Sequence, residues 1–167
     1  MNEDDAELLY QLDQDPKVMT YLTGGKTTSK TTITETALPR LKAFSNSEKG
    51  WGLWHASISD TQEFIGWVLV RPMDFFSKEP QWHNLELGWR FMQSSWGKGF
   101  ASEAALHIKT ALHQQLHYKT FSATAAKDNL ASIAIMKKIG LTYLKSYLHS
   151  DELYTCQSVY YQQTINN

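Results

Sequence analysis

The stretch "LELGWRFMQSSWGKGFASEA", residues 85–104, decides how the chain folds. Leu85, Leu87, Trp89 and Phe91 alternate with Glu86, Gly88 and Arg90, the period-two pattern of a strand with one apolar face. Gly88 within it permits a bulge or a close approach by another backbone or a ligand. Gly97 and Gly99 then bracket Lys98, and from Phe100 the small and helix-favouring residues predict a helix to about Leu116. A glycine-spaced turn in front of a helix reads in two ways. A helix start offers unpaired N–H groups and the positive end of a dipole, which suits a phosphate; the alternative is a tight connection.

Downstream, "KTFSATA" (119–125) reads as a short buried strand, and "KDNLASIAIMKKIG" (127–140) as a helix. Asp128 or Asn129 suits its cap, lysines fill its last turn and Gly140 stops it. The stretches "LTYLKSYLHS" and "ELYTCQSVYYQQT" predict a closing hairpin. Upstream, "WGLWHASIS" and "EFIGWVLV", separated by "DTQ", predict an antiparallel hairpin. A loop over 71–82 carries Phe75, Phe76 and Trp82, which either fold back onto the core or line a substrate mouth. At the front, 3–13 and "DPKVMTYL" predict two short helices, the second capped by Asp15 with Pro16 in its first turn. A third helix is expected over about 31–46, capped by threonines and bent or broken at Pro39. "TGGKTTSKTT" (23–32) contains Gly-Lys-Thr but no glycine five positions before Gly25 and no preceding strand, so it is a polar loop and not a nucleotide-binding one.

Strand, crossover helix, strand and helix between two hairpins give a mixed α/β (α+β) sheet and not a doubly wound parallel one. The helix starts near 99 and 129 then share one edge of adjacent strands, a place that ligands favour. The 167 residues fit a single domain spanning 1–167. Sixteen Lys plus Arg against 17 Asp plus Glu leave no global positive field for nucleic acid or an anionic membrane. No window approaches about 18 unbroken apolar residues, and "MNEDDAELLY" lacks a signal-peptide pattern, so a cytoplasmic protein is expected. The single cysteine, Cys156, agrees with a reducing compartment, and the six histidines show no metal spacing.

"LELGWRFMQSSWGKGFASEA", followed by "DNLASIAIMKKIGL", resembles the GNAT superfamily of acetyl-CoA-dependent N-acyltransferases, in its ribosomal-protein N-terminal acetyltransferase-like branch. "DPKVMTYLTGG" and "EFIGWVLV" agree with that branch. The resemblance implies a mostly antiparallel sheet with a splayed central parallel pair, flanked by helices. It implies acetyl-CoA as cosubstrate, no metal, and a primary amine as acceptor, on a peptide or protein N-terminus or a small molecule. By this resemblance the backbone of Gly97, Lys98, Gly99, Phe100, Ala101 and Ser102 cradles the pyrophosphate, with Lys98 adding charge. Backbone around Trp89, Arg90 and Phe91 pairs with pantetheine as a strand would, Asn129 bonds the pantetheine arm, and Ser132 lies near the thiol.

Three departures stand out. Trp96 replaces the polar first residue of the loop motif, Met136 stands where many relatives carry a proton-donating tyrosine, and Thr124 where some carry a glutamate base. The chain also opens on a helix where the family places a strand. The implied reaction is direct attack of a neutral amine on the thioester, with Glu86 as candidate base, directly or through water. Its structural alternative is a strand carboxylate paired with Arg90 or solvent. Ser132 is the candidate proton donor to the thiolate, or else a helix-start hydroxyl bonded to backbone. An alternative function is a non-catalytic acyl-CoA-binding sensor or partner-binding module, and either protein would be a monomer or homodimer.

Overall fold

In the computed structural model, which describes residues 1–150 and 155–166, the alternating stretch lies within the longest strand of a six-stranded sheet. The strands are β1 (Gly52–Ser57), β2 (Phe64–Met73), β3 (Gln81–Phe91), β4 (Thr120–Ala126), β5 (Thr142–Ser150) and β6 (Thr155–Thr164). Their spatial order is β1-β2-β3-β4-β6-β5, with β3 and β4 parallel and every other pair antiparallel. The parallel pair is joined through α5 (Phe100–Leu116), and α6 (Leu130–Lys138) follows β4. Gly140, with φ +87°, ends that segment as expected.

Alternation sorts the sheet's two faces. Leu85, Leu87, Val68, Val70, Phe121, Ala123, Val159 and Tyr161 form one face and pack with Ala105 and Leu112 of α5 and Met136 of α6. The opposite face is shared unequally. Over β1 and β2 a second apolar cluster joins Leu53, Trp67 and Leu69 to Leu9 of α1 (Ala6–Leu12) and to the helical run at 30–44. Over β4, β6 and β5 that face is polar, carrying Ser122, Thr124, Gln162, Tyr160 and Tyr147.

Three boundaries differ from expectation. The third helix stops at Phe44 and is composite: α3 (Lys30–Thr32), a π-helical turn (Ile33–Ala37) and α4 (Leu38–Phe44). The wider turn admits Pro39, whose ring would clash with the carbonyl four residues back in a regular helix. Its cap is Ser29, which accepts from Thr32 N at 3.0 Å, and not a threonine. The loop expected over 71–82 shrinks to 74–80, because β2 continues through Pro72 to Met73, paired with Gln81. Both prolines remain compatible: the sheet register slips between Pro72 and Met73, and Pro80 stands just outside β3. The closing hairpin is present as β5 and β6; Glu152, Leu153 and Tyr154, which the pattern assigns to its second strand, lie outside the described residues.

Candidate active site

The parallel pair is short. β3 and β4 share only Asn84↔Thr120, Leu85↔Phe121 and Glu86↔Ser122, although β3 continues to Phe91 and β4 to Ala126. Past Glu86, β3 stays with β2 up to Gly66↔Phe91, and β4 stays with β6 up to Ala126↔Ser158. The sheet therefore splits, and backbone on the facing sides of the split lacks ladder partners, which invites an extended ligand. Gly66 fixes one side of it. A Cβ there would overlap Arg90 O and come within 2.7 Å of Phe91 Cα, so only glycine lets β2 hold β3 so closely at this end.

At the mouth of the split stands the glycine turn. Gly97 and Gly99 have φ of +75° and +86°, and a Cβ added to either meets nothing within 4 Å. Gly99 is the N-cap of the 17-residue α5, with no side chain capping the helix. The first-turn N–H groups, the exposed Lys98 and the open space before the glycines fit the pyrophosphate of acetyl-CoA. Phe100, Ala101 and Ser102 are half-buried, and the two small side chains leave the backbone approachable. Trp96, in place of the family's polar residue, donates from its indole to Phe91 O at 2.8 Å and so pins the turn to the end of β3.

The remaining donor-side candidates meet across the split. Asn129 caps α6, its amide oxygen accepting from Ser132 N at 3.1 Å. The hydroxyl of Ser132 accepts from the Trp89 indole at 3.1 Å and, among the described residues, is bonded to no backbone group. Trp89 and Ser132 belong to opposite lips, so this hydrogen bond bridges the split. Met136 is fully buried in the core.

Glu86 faces the polar side. It pairs neither with Arg90 nor with solvent alone: Arg71 Nε donates to its carboxylate at 2.7 Å, with both side chains largely buried. Register explains the partner, since Arg71 lies directly across from Glu86 whereas Arg90 is four residues along the same strand. Arg90 instead donates to Asp13, buried at the end of α1, and its guanidinium lies 5.0 Å from the Trp67 ring centre. Its backbone lines the split while its side chain ties down the helical layer. α2 (Pro16–Thr23), capped by Asp15 as expected, adds a second tie through Tyr21 Oη, which donates to Asp128 O at 3.1 Å.

Sequence reading missed several groups on this side. Asn84, Ser122 and Tyr160 are buried and mutually hydrogen-bonded at 2.7–3.0 Å, and Gln162 joins them. The signal was their polar character at alternate positions of strands otherwise apolar. Tyr147 stands beside Thr124 just past the point of divergence; burial, with Glu86 and Asp74 nearby, pushes its phenol pKa up. Beside it opens a cavity of about 290 Å³ whose polar lining is Asp74, Gln81, Lys145, Tyr147, Tyr160 and Gln162. The loop aromatics divide: Phe75 packs into both cores, while Phe76 and Trp82 stay half-exposed, Phe76 under Arg40 at 4.0 Å. Among the described residues no group of His, Cys, Asp and Glu could hold a metal, and no helix is long and apolar enough to cross a membrane.

Known proteins resemble the chain in sequence or in fold. The chain is 33% identical over 147 residues to the uncharacterized protein YkkB of Bacillus subtilis, covering 87% of this chain and 80% of that one. An aminoglycoside acetyltransferase solved with coenzyme A superposes with TM-score 0.77 at 18% identity, over 98% of this chain and 91% of its own. A ribosomal-protein-alanine N-acetyltransferase from Brucella melitensis gives 0.72 at 14% identity, over 99% and 97%. With a split parallel pair, a glycine turn at its mouth and a match of residues 1–142 to the acetyltransferase (GNAT) domain model, the chain belongs to the GNAT family of acyl-CoA-dependent acetyltransferases.

Proposed function

We propose that the chain transfers an acetyl group from acetyl-CoA to a primary amine by direct attack. The observation that carries this reading is the divergence of β3 from β4 past Glu86↔Ser122, with the uncapped start of α5 at its mouth. Acetyl-CoA supplies the activated thioester. The chain's part is to hold it: Gly97 to Ser102 for the pyrophosphate, the backbone of Trp89 to Phe91 for the pantetheine arm, and the free side of the Asn129 amide for the same arm. A backbone N–H of β3 polarises the acyl oxygen.

The acceptor approaches from the polar side, where Glu86, Thr124 and Tyr147 lie around the split. Glu86 takes the amine's proton through water, with Arg71 fixing the direction of its carboxylate. Ser132, held by Trp89, supplies a proton to the departing thiolate. Thiolate is a good leaving group, so this last role contributes less than the first. Acceptors named for fold neighbours range from aminoglycosides to a ribosomal-protein alanine, so the fold leaves the amine open.

The test is release of free thiol from acetyl-CoA across a panel of amines, beside calorimetric binding of acetyl-CoA. Binding with amine-dependent thiol release is expected. Binding with no turnover of any amine would favour a sensor on the same fold, a reading to which the Arg71-engaged state of Glu86 lends weight.

A further inference from the structure

The geometry points to a small diamino acid as the acceptor: an amino-acid zwitterion carrying a second amine, which is the one acetylated. This rests on the acetyl-transfer reading above and narrows it. The cavity of about 290 Å³ on the polar side of the sheet is at the lower end of the range for small-molecule pockets, roughly 300–1,000 Å³. It suits a molecule of amino-acid size better than an oligosaccharide.

Its charges are the second observation. Glu86 is paired with Arg71, and Arg90 with Asp13. Two charged side chains of opposite sign line the cavity, Asp74 and Lys145, and among the described residues neither has an oppositely charged partner within 4.0 Å. The carboxylate of Asp74, at φ +59°, accepts from the neutral amide of Gln81 at 2.7 Å, and Lys145 lies over the Tyr160 ring at 5.4 Å. A pocket offering one carboxylate and one ammonium is complementary to a zwitterion. A simple diamine would leave Lys145 facing like charge.

Position separates the zwitterion from the reacting amine. Asp74 follows the Met73↔Gln81 pair, toward the end of β3 remote from the split. Lys145 pairs with Tyr160 and Tyr160 with Thr124, so Lys145 is two strands, roughly 10 Å, from the lip of the split. Tyr147 spans the interval: it lines the cavity, and its register through Ser158 to Ala126 sets it beside Thr124 at the split. An α-ammonium on Asp74 and an α-carboxylate on Lys145 therefore leave a side-chain amine to extend past Tyr147 to the thioester. In the step, the side-chain ammonium gives one proton through Glu86 to water, the neutral amine bonds to the acyl carbon, the carbon–sulfur bond breaks, and the nitrogen's second proton passes by way of the Ser132 hydroxyl to the departing thiolate.

The experiment measures thiol release with lysine, ornithine, lysinamide, cadaverine, 6-aminohexanoate and kanamycin, with acetyl-CoA affinity measured in parallel. Lysine or ornithine is expected to exceed lysinamide and cadaverine by at least tenfold in kcat/KM. Lys145→Met should abolish that advantage, with the change in KM and not kcat. Asp74→Asn should penalise lysine while sparing 6-aminohexanoate, which lacks the α-ammonium. Unchanged acetyl-CoA affinity of both variants certifies that they fold. Equal turnover of lysine and cadaverine, preference for kanamycin, or binding of acetyl-CoA without turnover of any diamino acid would overturn the assignment. Failure to bind acetyl-CoA would instead overturn the acetyl-transfer reading, and this one with it.

Discussion

Glu86 and Gly99 carry the sharpest expectations at the scale of single residues. An amine acceptor is mostly ammonium at neutral pH and must lose a proton before attack, a burden that vanishes as pH approaches the amine's own pKa. Glu86→Gln keeps a partner for Arg71 and removes the proton acceptor. It should lower kcat/KM about a hundredfold at pH 7 and progressively less toward pH 10. A loss equal at every pH would mean that Glu86 positions and does not accept. Gly99→Val acts on the donor side. Its left-handed backbone at φ +86° disfavours any side chain by about 1–2 kcal/mol, and the new Cβ would project into the space before the turn. Acetyl-CoA affinity measured by calorimetry should fall at least tenfold; unchanged affinity would remove the pyrophosphate from this turn.

Elements position these residues, and they differ in how far the sequence reveals them. Both helices beside the split have strong local signals, a glycine turn before Phe100 and the Asn129 cap with Gly140 behind it, so their limits are readable from spacing alone. The partner of Glu86 is not, because Arg71 reaches it only through the register of β2 on β3. Tyr147, Asp74 and Lys145 are likewise brought together by sheet order, β6 lying between β4 and β5, which no local pattern encodes. Gly66 belongs with them: it looks like an ordinary strand glycine until β3 is laid beside it. Gly66→Ala must push β2 and β3 apart at Arg90 and Phe91. Overpacking of this kind costs about 1–3 kcal/mol, or roughly 2–12 °C in Tm for a chain of this size. Because the displaced strand is a lip of the split, acetyl-CoA affinity should fall along with Tm, whereas a purely structural defect would lower Tm alone.

Across the whole molecule, the sheet divides two packed layers, and the layer bearing α5 and α6 contains a buried cation. Lys109 of α5 is 6% exposed, and its ammonium donates to Ile139 O behind α6 and to Gln163 Oε1, the latter at 2.6 Å, with no carboxylate partner among the described residues. It thereby joins both helices that flank the split to the last strand, and it answers the negative end of the α6 dipole. Desolvation lowers its pKa from the ordinary 10.5, favouring the neutral amine in the folded state. Between that lowered value and the unfolded one, the unfolded chain binds more protons than the folded chain, so stability rises with pH across the window. The urea midpoint of the wild type, measured from pH 8 to pH 10.5, should therefore gain relative to Lys109→Met as pH increases. At pH 7 the variant loses two hydrogen bonds from a charged donor but also the burden of a buried charge, so its midpoint should change less than a simple loss of contacts implies. Parallel midpoints for the two proteins across the whole range would mean that Lys109 stays fully charged in the fold and serves only as a hydrogen-bonded strut between α5, α6 and β6.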